Sequence, residues 1–224
     1  MTDPIAIKGK RRQRKREQTA SHLAATAFRL FERHGYSMVS MELIADEADV
    51  AKATLYNYFP VKEALLAHCF REDIAAGMLE RAATLAAFKT FESRMNYLLR
   101  ESAVWHSARK AYLPHYLRYL TSQARYGEET PCEGNANSGS RQILTLMFET
   151  GQQSGEVDTR QTAAQIAWHF EYLLFGAISA WLNDPSVDLT QRFLATFDLA
   201  MHGIANTPRT KPRTSSVTGA KNDD

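Results

Sequence analysis

At 224 residues, 44% of them hydrophobic, the chain can bury one sizeable core or divide into a small domain and a larger one. No apolar run approaches the roughly 18 residues that span a bilayer, and the basic, polar amino terminus has no apolar stretch behind it. These features argue against a membrane span or a secretory leader and predict a cytoplasmic protein. The net charge of +2 hides an asymmetry: residues 1–16 carry Lys8, Lys10, Arg11, Arg12, Arg14, Lys15 and Arg16 against Asp3, while acids outnumber bases in the remainder. A basic arm on a mildly acidic body suits a polyanion, because each neutralised phosphate releases condensed counterions.

Helical periodicity runs through most of the chain, with few alternating β-branched stretches. After an expected disordered arm over residues 1–16, a first helix is predicted from Glu17 to His34, its apolar face set by Leu23, Ala27, Leu30 and Phe31. Gly35 stops it. Ser40 caps a short second helix whose face is Met41, Ile44, Ala45 and Ala48. A turn at Asp49–Val50 leads into a third helix over Lys52–Phe59, ended by Pro60. The fourth is predicted from Val61 to Leu85, and later ones over Thr90–Ala108, Lys110–Arg125, Ser140–Ser154, Arg160–Asn183 and Asp188–Ala205. The Gly-, Asn- and Glu-rich segment Tyr126–Gly139 reads as a mobile loop, and residues 206–224 as a disordered tail. The expected fold is therefore all-α with about nine helices: a three-helix domain over 17–60, then a larger helical body over 61–205.

The second and third helices are joined by too short a turn to lie antiparallel, which sets the steep angle of a helix-turn-helix. Val50, Leu55 and Phe59 point inward on this reading; Lys52, Thr54, Asn57 and Tyr58 point outward. The third helix holds no arginine, so bidentate guanidinium readout of guanine is not expected from it. Thr54 suits a thymine methyl or a base edge, Asn57 suits adenine, and the hydroxyls of Tyr56 and Tyr58 suit phosphates. Lys62, in the first turn of the fourth helix, is placed to share a phosphate with that helix's backbone N–H groups.

The stretch Ser40–Leu66, with Asp49-Val50-Ala51-Lys52-Ala53-Thr54-Leu55-Tyr56-Asn57-Tyr58-Phe59-Pro60-Val61-Lys62 at its centre, resembles the DNA-binding signature of the TetR/AcrR family. Upstream, Ala27-Phe28-Arg29-Leu30-Phe31-Glu32-Arg33-His34-Gly35-Tyr36 resembles that family's first helix. The likeness at this level covers about residues 17–70. It implies a homodimer with a DNA-binding domain and a larger ligand-sensing and dimerisation domain. It also implies DNA contacts at Ser40, Lys52, Ala53, Thr54, Tyr56, Asn57, Tyr58 and Lys62. Three positions depart from the pattern: Asp49 stands where glycine is frequent in the turn, Ala51 where a hydroxyl usually caps the third helix, and Ala53 where glycine is common within it. In this setting the basic arm is expected to reach the adjacent minor groove, as homeodomain arms do.

Aromatic residues with polar tips are frequent in the larger domain and suit an apolar pocket with a few oriented polar groups. Trp105, Tyr112, Tyr116, Phe148, Trp168 and Tyr172 are the candidate lining for an unidentified small apolar or aromatic effector. His68, His106, His115 and His169 lack zinc-ligand spacing, so neither a metal nor a cofactor is expected. Cys69 reads as a buried thiol and Cys132 as a loop thiol. Two apolar stripes, Ile166 to Trp181 and Phe193 to Ile204, suit either burial in a monomer's core or an interface; the resemblance implies that this helix pair meets its mate in a four-helix interface, and Gly176, Ala177, Ser179 and Ala180 permit close approach. No phosphate-binding glycine loop, H-E-x-x-H, G-x-S-x-G or paired catalytic carboxylates appear, so an enzyme is not expected. The leading reading is a ligand-responsive regulator, a repressor by family habit, that binds a near-palindromic operator as a homodimer and is released by a small molecule. The alternative is an interaction protein that binds nucleic acid through its basic arm without reading sequence.

Overall fold

The computed structural model describes residues 4–126 and 139–203, and the described residues form α-helices with no strand among them. In chain order these are α1 (Pro4–His34), a short 3-10 turn (Tyr36–Met38), α2 (Met41–Glu47), α3 (Lys52–Tyr58), α4 (Lys62–Ala87), α5 (Phe91–Ala108), α6 (Leu113–Tyr126), α7 (Gly139–Gln153), α8 (Ala163–Asn183) and α9 (Leu189–His202). The predicted loop after Tyr126 and the tail from residue 206 fall outside the described residues.

α1 begins at Pro4 and not at Glu17, so the described part of the basic segment continues the helix and is not a disordered arm. Proline is tolerated in a first turn, and Lys, Arg and Gln are good helix formers. Extending a helix already nucleated by the packed half of α1 adds a hydrogen bond for each residue fixed. Gln13 Nε2 donates to the Glu17 carboxylate at 2.9 Å, an i,i+4 pair that straps the two halves. Leu23, Ala24, Ala27, Leu30 and Phe31 are buried, the face anticipated from their spacing. Gly35 follows at φ 83°, where its amide closes on the Phe31 carbonyl.

The core is continuous. Leu23, Phe31, Ile44, Leu55, Phe59 and Leu65 at the amino-terminal end belong to the same buried cluster as Phe70, Phe91, Met95, Phe148, Phe170 and Phe193. Full burial of such a side chain contributes roughly 1.5–3 kcal/mol. α4 carries this core from one end to the other, packing on α1, α6 and α7. At the far end α7 packs on α8, and α9 on both α5 and α8. Buried residues on both sides of residue 60 thus belong to one core.

Local chemistry fixes the helix starts. Thr90 accepts from Ser93 N, Thr162 and Gln165 form a reciprocal capping box, and Asp188 accepts from Thr190 N and Gln191 N. α6 starts at Leu113, three residues later than expected, because Arg109–Tyr112 are taken up by turns in which Tyr112 N donates to Arg109 O. Pro114 then falls in the first turn of α6, where a missing N–H costs little. The Glu156 carboxylate accepts from Phe91 N at 2.8 Å and so anchors the α7–α8 connection on the start of α5. α7 is pinned to α8 by Arg141, whose guanidinium reaches the buried Glu171 carboxylate at 2.6 and 2.8 Å. Among the described residues, no helix is long and apolar enough to cross a membrane.

Candidate nucleic-acid interface

Ser40 stands ahead of α2 with its hydroxyl accepting from Leu43 N at 3.1 Å, so the N-cap anticipated at that position is formed. Val50 N returns to Ala45 O at 3.0 Å to close the turn, and Asp49 adopts φ 53°, the left-handed conformation that the turn demands and that glycine would take without cost. Ala51 offers α3 no side-chain cap. Hydrophobic packing holds the helix instead: Leu55 and Phe59 are buried, and Val50 packs half-buried against the same cluster. Lys52 lies 3.6 Å from Glu42, an exposed pair linking α3 to α2.

Of the eight residues nominated as DNA contacts, Ser40, Lys52, Ala53, Tyr56 and Asn57 are exposed, and Thr54, Tyr58 and Lys62 are partly buried. Tyr56 is 45% exposed on the outer face of α3. Lys62 carries contacts within the chain as well. Its ammonium donates to Tyr36 O at 2.9 Å and Val39 O at 2.7 Å and sits 4.6 Å from the centre of the Tyr36 ring. Two of its three donors therefore lock α4 to the turn before α2, and Lys62 positions the helix-turn-helix before it can help hold a phosphate.

That junction includes contacts that no local pattern in the sequence marks. Glu63 meets Arg118 of α6 at 3.3 Å, and His115 of α6 stacks on Tyr36. Burial pushes the Tyr36 phenol well above its ordinary range, with Glu63 adding to the effect. A second unanticipated feature is an open groove of about 460 Å³ between the amino-terminal part of α1 and the end of α3. It is lined by Gly9, Arg12, Gln13, Lys15, Arg16, Thr19, Asn57 and Tyr58. The i, i+3, i+4, i+7 spacing of Arg12, Lys15, Arg16 and Thr19 was the available signal, but it is visible only once the arm is known to be helical.

The six candidate pocket residues separate into three groups. Trp105, Tyr112 and Tyr116 converge on Phe70, with ring centroids 4.8, 6.4 and 4.9 Å from it. Phe28 of α1 joins them, 6.2 Å from Phe70 and 5.5 Å from Tyr112. Phe148 packs instead against Phe91 and Phe170. Trp168 and Tyr172 pair with each other along α8, Trp168 being 46% exposed. One turn of helix separates Trp168 from Tyr172, so the two rings share a face of α8, Trp168 exposed and Tyr172 partly buried. Phe148 also lines a groove of about 1060 Å³ walled by Ile166, His169, Phe170 and Leu173 of α8, by Phe197, Ala200 and Met201 of α9, and by the largely polar connection that carries Glu156, Val157, Asp158, Arg160 and Gln161. Among the described residues, no group of three or more His, Cys, Asp or Glu is gathered as for a metal ion. Burial pushes the Cys69 thiol up to about 12, with Glu72 and Asp73 adding to it, which leaves it protonated and unreactive.

Residues 23–69 match the family model for bacterial regulatory proteins of the tetR family. Over 207 residues the chain is 27% identical to MftR of Mycobacterium tuberculosis, named for transcriptional regulation of mycofactocin biosynthesis; the match covers 85% of this chain and 93% of that one. The fold is similar to Thermus thermophilus FadR, a transcriptional repressor solved with lauroyl-CoA, at a TM-score of 0.70 and 18% identity over 86% of this chain and 98% of that one. It is also similar to Bacillus subtilis FadR, solved with stearoyl-CoA, at a TM-score of 0.59 and 19% identity over 82% and 98%.

Proposed function

We propose that this chain, whose residues 23–69 match the tetR family of bacterial regulatory proteins, is a repressor of that family that binds a near-palindromic operator as a homodimer and is released by a small apolar or aromatic effector. Regulation of transcription through DNA, without enzymatic chemistry, is the property of the family. The finer reading rests on one observation: α3 turns Lys52, Ala53, Tyr56 and Asn57 outward while Leu55 and Phe59 anchor it, and Lys62 fixes the angle of the whole unit. A helix held from behind with small and polar groups in front is what major-groove readout requires.

The pairing of two copies is supported by α8 and α9. Ile166, Phe170 and Leu173 on one helix and Phe197 and Met201 on the other face a common groove, and Trp168, Leu173 and Leu199 are each about half exposed. A second α8–α9 pair covers this surface. For the effector, the aromatic cluster at Phe70 is the better seat. The Trp105 indole N–H is buried there without a partner among the described residues, and Phe28 ties the cluster to the DNA-binding helices. The two FadR structures hold ligands with long apolar tails, which agrees with an apolar effector. A coupling of roughly 1–3 kcal/mol would change operator affinity about 5–150-fold.

Footprinting on the DNA upstream of the chain's own gene tests the reading. Two protected half-sites centred about one helical turn apart, or a multiple of it, are expected. Protection spread evenly along the fragment would instead favour a binder that does not read sequence.

A further inference from the structure

We infer that the groove between the amino-terminal part of α1 and the end of α3 holds one phosphodiester strand of the duplex, beside the bases that α3 faces. The inference rests on the operator reading above and adds a separate site to it. The expectation it replaces, an arm lying in the minor groove, fails on size: an α-helix is about 10–12 Å across with its side chains, and the minor groove is about 6 Å wide. A helical extension fits either the major groove or the backbone beside it, and the major groove is the one α3 faces.

The groove's composition points to the same occupant. Arg12, Lys15 and Arg16 stand on one face of α1, and no carboxylate is among the lining residues. Thr19 supplies a hydroxyl below them; across the groove Asn57 and Tyr58 supply an amide and a phenol. Cations on one wall and neutral hydrogen-bonding groups on the other match a polyanionic strand whose phosphates need charge and whose sugar edges need none. Gly9 leaves the upper end open, since a side chain added there would meet nothing within 4 Å. Asn57 belongs both to the groove wall and to the exposed face of α3, so a strand in the groove is continuous with the bases α3 would read. Arg11 and Arg14 lie on the same helix but outside the lining, which provides an internal control of equal charge.

The experiment compares Arg12→Gln/Arg16→Gln with Arg11→Gln/Arg14→Gln in the full chain. Fluorescence anisotropy gives the dissociation constants for the operator and for a random duplex across a salt series. The groove pair should lower the slope of log K against log salt by about 2, at roughly 0.9 per phosphate, and weaken both duplexes alike. The control pair should leave the slope nearly intact. Equal effects of the two pairs would mean a diffuse cloud of charge and would overturn the groove. So would an unchanged slope, or loss of binding to phosphatidylserine vesicles with DNA binding intact. Failure of the operator reading looks different: the wild type would then bind both duplexes equally, while the groove pair still lowered the slope.

Discussion

The His115 imidazole of α6 lies on the Tyr36 ring ahead of α2, with centroids 4.0 Å apart and planes inclined by 29°. Lys62 sits 4.6 Å from the centre of the same Tyr36 ring, and Glu63 meets Arg118 one turn further along α6. Any displacement of α6 therefore reaches the turn that sets the angle of α2 and α3. A double-mutant cycle with Tyr36→Ala and His115→Ala, followed by urea unfolding, should give a coupling energy of about 0.5–1.5 kcal/mol. Additive effects would mean that α6 and the turn are neighbours without being joined.

Lys62 offers a sharper division between positioning and contact. Lys62→Met keeps the length of the chain but leaves the carbonyls of Tyr36 and Val39 without their charged donor. A stability loss of about 2 kcal/mol is expected in a denaturant melt. Loss of DNA affinity with unchanged stability would return Lys62 to the role of a phosphate ligand.

These two residues also indicate how far the sequence could be read. Inward Leu55 and Phe59, capping Ser40 and left-handed Asp49 were all legible, because each is decided within a few residues by period, cap or turn chemistry. The stack of His115 on Tyr36 and the burial of Glu171 against Arg141 were not, since they join positions far apart in the chain and leave no local periodic mark. The basic segment was misjudged for another reason. Its composition fits a disordered arm and an exposed helix equally, and only its continuity with the packed half of α1 selects the helix. Aromatic density likewise marked where rings gather but not which of them meet: Trp105, Tyr112 and Tyr116 converge on Phe70, while Phe148 packs against Phe91 and Phe170.

His106 should make the protein acid-sensitive. Its pKa is lowered from 6.5 to about 4, chiefly by burial with Arg109 adding to the effect, while the bond that Nδ1 donates to the Ser102 carbonyl at 2.7 Å opposes the shift. The folded-state value lies below the unfolded one, so stability is complete above about pH 6.5 and is lost as pH falls toward 4. The loss amounts to about 3 kcal/mol. His106→Gln should lose less stability than the wild type between pH 7 and about 4.5 in urea melts. Parallel curves for the two proteins would assign the acid sensitivity to carboxylates alone.

Leu173, 45% exposed on the α8–α9 groove, should separate pairing from folding. Leu173→Glu places a charge where the second copy is proposed to sit, so sedimentation should show monomers at micromolar concentration with an unchanged far-UV spectrum. A variant that sediments like the wild type would move the contact elsewhere.

The central claim is that α3 reads sequence. The most direct measurement is the ratio of affinities for the operator and for random duplex at fixed salt, in the wild type and in Asn57→Ala. The account predicts a wild-type ratio of at least about 10³. It also predicts that Asn57→Ala weakens operator binding about 5–150-fold more than it weakens the random duplex, because the base contact belongs to the operator alone while the groove-wall contact is common to both. A wild-type ratio near one, or an equal loss on both duplexes, would contradict it.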